Sequence, residues 1–86
     1  MNYCITMSSE RIKVFVLVNT QVGKEDEVLK ALRGLEYVEE AYIIYGEYDV
    51  IAKLEVPALE LLDKVVTSIR NMPGVTRTST LIASSR

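Results

Sequence analysis

Eighty-six residues with ten basic and twelve acidic side chains, a net charge of −2 and a pI near 5.1 do not supply the concentrated basic face that grips nucleic-acid phosphates. The chain is 49% apolar and 26% charged, which suits a folded domain and excludes a disordered one. It has no His and a single Cys, Cys4, which excludes an internal disulfide and leaves no zinc-ligand spacing.

Residues 1–10 are predicted to be a flexible N-terminal tail. No basic residue precedes their few apolar ones, so they resemble neither a signal peptide nor an anchor. No apolar run approaches the roughly 18 residues that span a bilayer, and a cytoplasmic protein is expected.

Ile12 to Val18 is the first predicted strand, with Ile12, Val14, Val16 and Val18 on one side and Phe15 and Leu17 on the other. Gly23 and the acidic turn Glu25-Asp26-Glu27 open a helix whose apolar stripe is Val28, Leu29, Leu32 and Leu35; Asp26 and Lys30 are spaced to pair along it, and Gly34 ends it. Tyr37–Tyr45 and Tyr48–Val56 are the second and third strands. Gly46-Glu47 between them reads as a two-residue type II′ turn with glycine first. Pro57 opens a second helix with the stripe Leu59, Leu62, Val65, Val66 and Ile69, and Pro73-Gly74 stops it. Val75–Ala83 is the fourth strand and residues 84–86 a C-terminal tail.

The order is βαββαβ. Its halves repeat at an offset of 37, as in Val28/Val65, Leu32/Ile69, Arg33/Arg70 and Val38/Val75. Two interlocked βαβ units give an α+β, ferredoxin-like plait over residues 11–83: a four-stranded antiparallel sheet in the order 4-1-3-2, with both helices on one face.

The other sheet face is then bare. Both sides of the first two strands are apolar, and a monomer would expose more contiguous apolar surface than soluble monomers tolerate. A sheet-to-sheet homodimer is expected, with Val14, Val16, Val18, Tyr42 and Ile44 on the joined face. The alternative, residues 1–10 folded over as a lid, offers Asn2, Thr6, Ser8 and Ser9 as poor cover.

Two segments are candidate sites. Gly46-Glu47-Tyr48-Asp49 is either a plain hairpin tip or a place where Asp49 or Glu47 accepts hydrogen bonds from a ligand ammonium, with Gly46 allowing close approach. Thr78 and Thr80 are either β-formers in an edge strand or a row of hydroxyls for a ligand carboxylate. Glu36, Glu39 and Glu40 read as a solvated edge without the convergence a metal needs, and no cofactor motif is present.

These pieces together resemble a known family. The strand Val14–Val18, then Val22-Gly23-Lys24-Glu25, Val38-Glu39-Glu40-Ala41-Tyr42, Gly46-Glu47-Tyr48-Asp49-Val50 and the run Pro73 to Thr80 follow in the order and spacing of the effector-binding (RAM) domain of the Lrp/AsnC regulators, across about Arg11 to Ala83. The resemblance implies the same plait, sheet-to-sheet dimers and higher rings, often octamers. It also implies an amino-acid site between dimers at Gly46, Glu47, Tyr48 and Asp49, with Thr78 and Thr80 joining from the last strand.

Full-length members carry a helix-turn-helix, which ten polar residues cannot form. The expectation is a stand-alone, non-enzymatic effector-binding and oligomerisation domain acting in regulation of amino-acid metabolism, without direct DNA contact, alone or co-assembled with full-length regulators. The alternative is a small dimeric α/β-barrel enzyme of monooxygenase or isomerase type, which here would rest on acids and tyrosines alone.

Overall fold

Alternation along the first apolar run sets the layering. In the computed structural model, which describes residues 11–83, strand β1 (Ile12–Thr20) turns Val14, Val16 and Val18 toward two helices, where they are fully buried. Phe15 and Leu17 face the other way and are half-buried. The chain continues as α1 (Glu25–Arg33), β2 (Val38–Ile43), β3 (Val50–Val56), α2 (Leu59–Arg70) and β4 (Val75–Ile82). The strands pair antiparallel in the order β2-β3-β1-β4, which is the expected 4-1-3-2 order read from the opposite edge. This is the ferredoxin-like βαββαβ fold. The tails predicted at residues 1–10 and 84–86, Cys4 and the lid alternative lie outside the described residues.

The core forms between sheet and helices. Val28 and Leu32 of α1 and Leu62 and Ile69 of α2 close over Val14, Val16 and Val18 of β1 and Val50, Ala52, Leu54 and Val56 of β3. Leu29, Leu35, Val65 and Val66 pack half-buried around them, as their stripes predict. Leu59 does not: it is the first residue of α2 and remains 58% exposed. The expected Asp26–Lys30 pair is replaced by Lys24–Glu27, 3.6 Å apart. Pro57 lies ahead of the Ala58 N-cap, outside the first helical turn.

The face assigned to the dimer needs correction at three positions. Val14, Val16 and Val18 lie beneath the protein's own helices and cannot meet a partner. Ile44 lies one residue past the end of β2 and is half-buried. Residues opposite one another in the ladder share a face, and the pairs Leu17–Ile51, Phe15–Leu81 and Tyr42–Ile51 place all five of these side chains on the bare side. Tyr42 was assigned there, and it is 52% exposed. Lys53 sits opposite Phe15 and Glu55 opposite Lys13, so the apolar band of this face has a charged margin toward that end of the strands. At one margin the Tyr42 hydroxyl donates to Glu40 Oε1 at 2.6 Å, and Lys53 Nζ lies 3.9 Å from Glu40 Oε2. The Glu40 carboxylate raises the Tyr42 pKa above the ordinary phenol value, through the hydrogen bond first and its charge second.

Strand β2 begins at Val38 and not at Tyr37, whose backbone is left-handed.

Candidate functional site

The hairpin tip is a longer loop than its glycine suggested. Strand β2 ends at Ile43 and β3 begins at Val50, and the Ile44 N–H closes the connection on the Asp49 carbonyl at 2.9 Å. Residues 45–48 therefore form a four-residue loop in place of the two-residue type II′ turn. Gly46 lacks the positive φ of that turn; among the described residues, only Gly23 and Gly74 are left-handed glycines. A Cβ on Gly46 would meet nothing within 4 Å.

Asp49 fastens the loop to the end of β1. Its N–H donates to the Val18 carbonyl at 2.9 Å. Its Oδ2 accepts the Thr20 N–H at 2.8 Å, with the Thr20 hydroxyl 3.4 Å away. The β1–β4 register slips between Asn19 and Thr20, and there the Thr20 N–H takes the Asp49 carboxylate as its acceptor. One carboxylate oxygen is thus committed to the fold, and no hydrogen bond from the described residues reaches the other. That loop also borders a recess of about 290 Å³ lined by Glu25, Asp26, Ile43, Ile44, Tyr45 and Asp49. Three carboxylates at one opening suit a cationic group such as an ammonium.

Thr78 and Thr80 do not join Asp49. Opposite Val18 and Val16, they belong to the helix side of β4. They line a second groove, of about 450 Å³, with Thr76, Arg77 and, from α2, Val66 and Arg70. Gly46 and Glu47 are exposed. Tyr48 joins the two segments: the Arg77 guanidinium carbon lies 5.5 Å from its ring centroid. Of the predicted ligand residues, Asp49 therefore lines one opening and Thr78 and Thr80 the other, whereas Gly46, Glu47 and Tyr48 line neither.

Sequence reasoning assigned no site role to several residues found here. In the sequence Glu25 and Asp26 stand as helix-opening acids, with Asp26 also spaced to pair with Lys30. Thr20 carried no signal, because the register slip that exposes its N–H is a tertiary feature. Arg77 lay inside a quoted motif without a role. The Arg33/Arg70 repeat was visible, but not that the Arg33 Nε and Nη2 would dock on the Ala41 carbonyl at 3.2 and 2.7 Å. Among the described residues, no cluster of Cys, Asp or Glu is arranged to hold a metal, and no helix is long and apolar enough to cross a membrane.

Residues 13–86 match the Lrp/AsnC ligand binding domain. The chain belongs to that family. Among curated proteins it is similar to the HTH-type transcriptional regulator FL11 of Pyrococcus abyssi, 34% identical over 68 residues, a match covering 79% of this chain and 45% of the relative. The chain thus spans about half the length of the curated relatives it matches. Of solved structures, FFRP-DM1 is 46% identical with a TM-score of 0.81, over 85% of this chain and 99% of that one. The hypothetical protein PHS023 from Pyrococcus horikoshii is 45% identical with a TM-score of 0.80, over 87% and 92%. This chain thus aligns with nearly the whole of those two chains.

Proposed function

We propose that this domain binds an amino acid and converts binding into a change of assembly, within the transcriptional regulation of amino-acid metabolism. The carrying observation is the recess beside Asp49. Thr20 holds one carboxylate oxygen in place, Glu25 and Asp26 add negative charge, and the free oxygen is fixed before a ligand arrives. A zwitterion's ammonium suits that opening. The family match and the regulator relatives support a regulatory setting over a catalytic one. The aliphatic filling between helices and sheet also supports a non-enzymatic role.

Assembly follows from the bare sheet face. Each Å² of the Phe15–Leu17–Ile51–Leu81 band withdrawn from water contributes roughly 25 cal/mol, which favours a sheet-to-sheet homodimer. Larger rings, octamers among them, and mixed assemblies with full-length regulators would bring the loop ends of such dimers together. A ligand held there shifts assembly by no more than its differential affinity for the two states. With its acidic balance, this domain leaves DNA contact to its partners and acts in the cytoplasm.

Isothermal titration of the twenty standard amino acids, with light scattering at each end point, tests the reading. At least one should bind and change the mass, and Glu25→Gln, a folded variant that keeps the Asp49–Thr20 bond, should weaken it several-fold. Absence of heat from all twenty overturns the proposal.

A further inference from the structure

Strand β2 lies at the edge of the sheet, and an edge strand carries N–H and C=O groups that another strand can take up. The Ile44 N–H bonds the Asp49 carbonyl at 2.9 Å and the Glu55 N–H the Tyr37 carbonyl at 3.1 Å, so Tyr42 and Ile44 hold the ladder to β3. Ala41 and Ile43 consequently turn their backbone groups to the outer edge. A recess of about 300 Å³ at that edge is lined by Arg33, Val38, Glu39, Glu40, Ala41 and Tyr42. The first half of β2 is unsuited to further pairing, because its register slips between Val38 and Glu40, and Glu39 and Glu40 are exposed acids. The second half, Ala41 to Ile43, is regular and bears no charged side chain. There the Ala41 carbonyl accepts from Arg33 twice, from Nε at 3.2 Å and from Nη2 at 2.7 Å.

We infer that Arg33 is an edge cap, which keeps a second copy of this chain from adding its own β2 to this strand. A pairing strand would lie about 4.8 Å away and would need the Ala41 carbonyl as an acceptor. The guanidinium fork takes that oxygen with charge-assisted bonds and fills the space beside it. A second copy is the occupant the edge fits. Antiparallel pairing centred on Tyr42 sets Ala41 of each copy against Ile43 of the other, so the outward donors of each meet the outward acceptors of the other. The uncharged Tyr42 side chains would then lie opposite one another, a favourable cross-strand pair. The bare sheet face is a separate surface, and a chain with two self-pairing surfaces can link into open assemblies. Capping the edge leaves the sheet face to act alone. The cap is independent of any ligand beside Asp49.

Light scattering and amide hydrogen exchange on the whole chain, in a Leu17→Lys background that disrupts the sheet face, test this. Arg33→Met keeps the aliphatic stem of the side chain and loses the fork. It should double the mass of the Leu17→Lys parent at high concentration and revert on dilution. In the doubled species the Ala41 and Ile43 amides should exchange about tenfold more slowly than in the diluted one. Lys30→Met removes the same charge about one turn earlier on α1 and should change neither mass nor exchange. Circular dichroism confirms that each variant is folded, and Arg33→Ala is the second variant if Arg33→Met is not. The mass is compared with the Leu17→Lys parent whatever its own state, so failure of the sheet-to-sheet reading leaves the test intact. A residue that only fastens α1 to the sheet would leave the mass unchanged and quicken exchange along α1 and β2, which overturns the cap. Equal doubling by Lys30→Met, or doubling without protection of Ala41 and Ile43, overturns it too.

Discussion

Tyr37 and Gly74 are structural equivalents one repeat apart, and both are left-handed, with φ of 77° and 94°. Each immediately precedes a strand and offers its carbonyl to a neighbouring segment: Tyr37 to the Glu55 N–H at 3.1 Å, Gly74 to the Gln21 N–H at 2.8 Å. For a non-glycine residue this conformation costs about 1–2 kcal/mol. Tyr37 offsets that with a ring packed against the core. Gly74 has no such choice, because a Cβ there would lie 3.1 Å from Lys24 Cβ and 3.2 Å from Val28 Cγ2.

A glycine series follows from that comparison. Gly74→Ala combines strain with a clash and should lower stability by about 2 kcal/mol. Gly34 is helical, φ −88°, with nothing nearer its Cβ position than 3.6 Å, so Gly34→Ala should be neutral or stabilising by up to about 1 kcal/mol. Gly46→Ala should be tolerated, as a type II′ turn would not allow. Urea midpoints of the three variants check all of this.

Removing the Asp49 carboxylate leaves the Thr20 N–H without its acceptor. Asp49→Ala should cost about 1–3 kcal/mol, whereas Thr20→Val, which removes only the 3.4 Å hydroxyl contact, should cost less than about 0.5 kcal/mol. Amide hydrogen exchange should quicken at Thr20 and Ile44 in the first variant and stay slow in the second.

The two faces of β1 should answer differently to charge. Leu17→Lys, on the bare face, should give a folded monomer by light scattering and circular dichroism. Val16→Lys, one residue away but fully buried under the helices, should fail to fold. A Leu17→Lys dimer would refute the sheet-to-sheet interface.

Tyr42 should ionise above the ordinary phenol value of 10.0. The Glu40 hydrogen bond favours the protonated phenol in the folded state. Its contribution is therefore complete below the unfolded value and is lost as pH rises through the elevated one. Ultraviolet titration, comparing the protein with Tyr42→Phe, should reveal this late-ionising group. Glu40→Gln should return it toward the ordinary value.

Most of the architecture was legible because it rests on alternation and spacing. The βαββαβ order, the strand order and both helix stripes follow from residues such as Val14, Val16, Leu32 and Ile69. Which side of β1 the helices cover was not legible, since Val14 and Leu17 are equally greasy and only the packed helices distinguish them. The loop was misread because Gly46 suggested a shorter turn than the Ile44–Asp49 pairing makes. At the site, residue types could be read but their grouping could not: Asp49 shares a recess with residues of α1 and Thr78 a groove with residues of α2, each through the layering of the fold.

The apolar band from Tyr42 through Ile51 and Leu17 to Leu81 runs transverse to the strands. Two copies clamped along that belt would leave the strand tips, and with them the Tyr45–Asp49 loops, jutting from the perimeter of the pair. The stronger joint would then form first and stay put, while the weaker contacts at the rim remain open to adjustment by whatever metabolite lodges there. On the proposed reading, that arrangement would separate permanence from responsiveness within 86 residues.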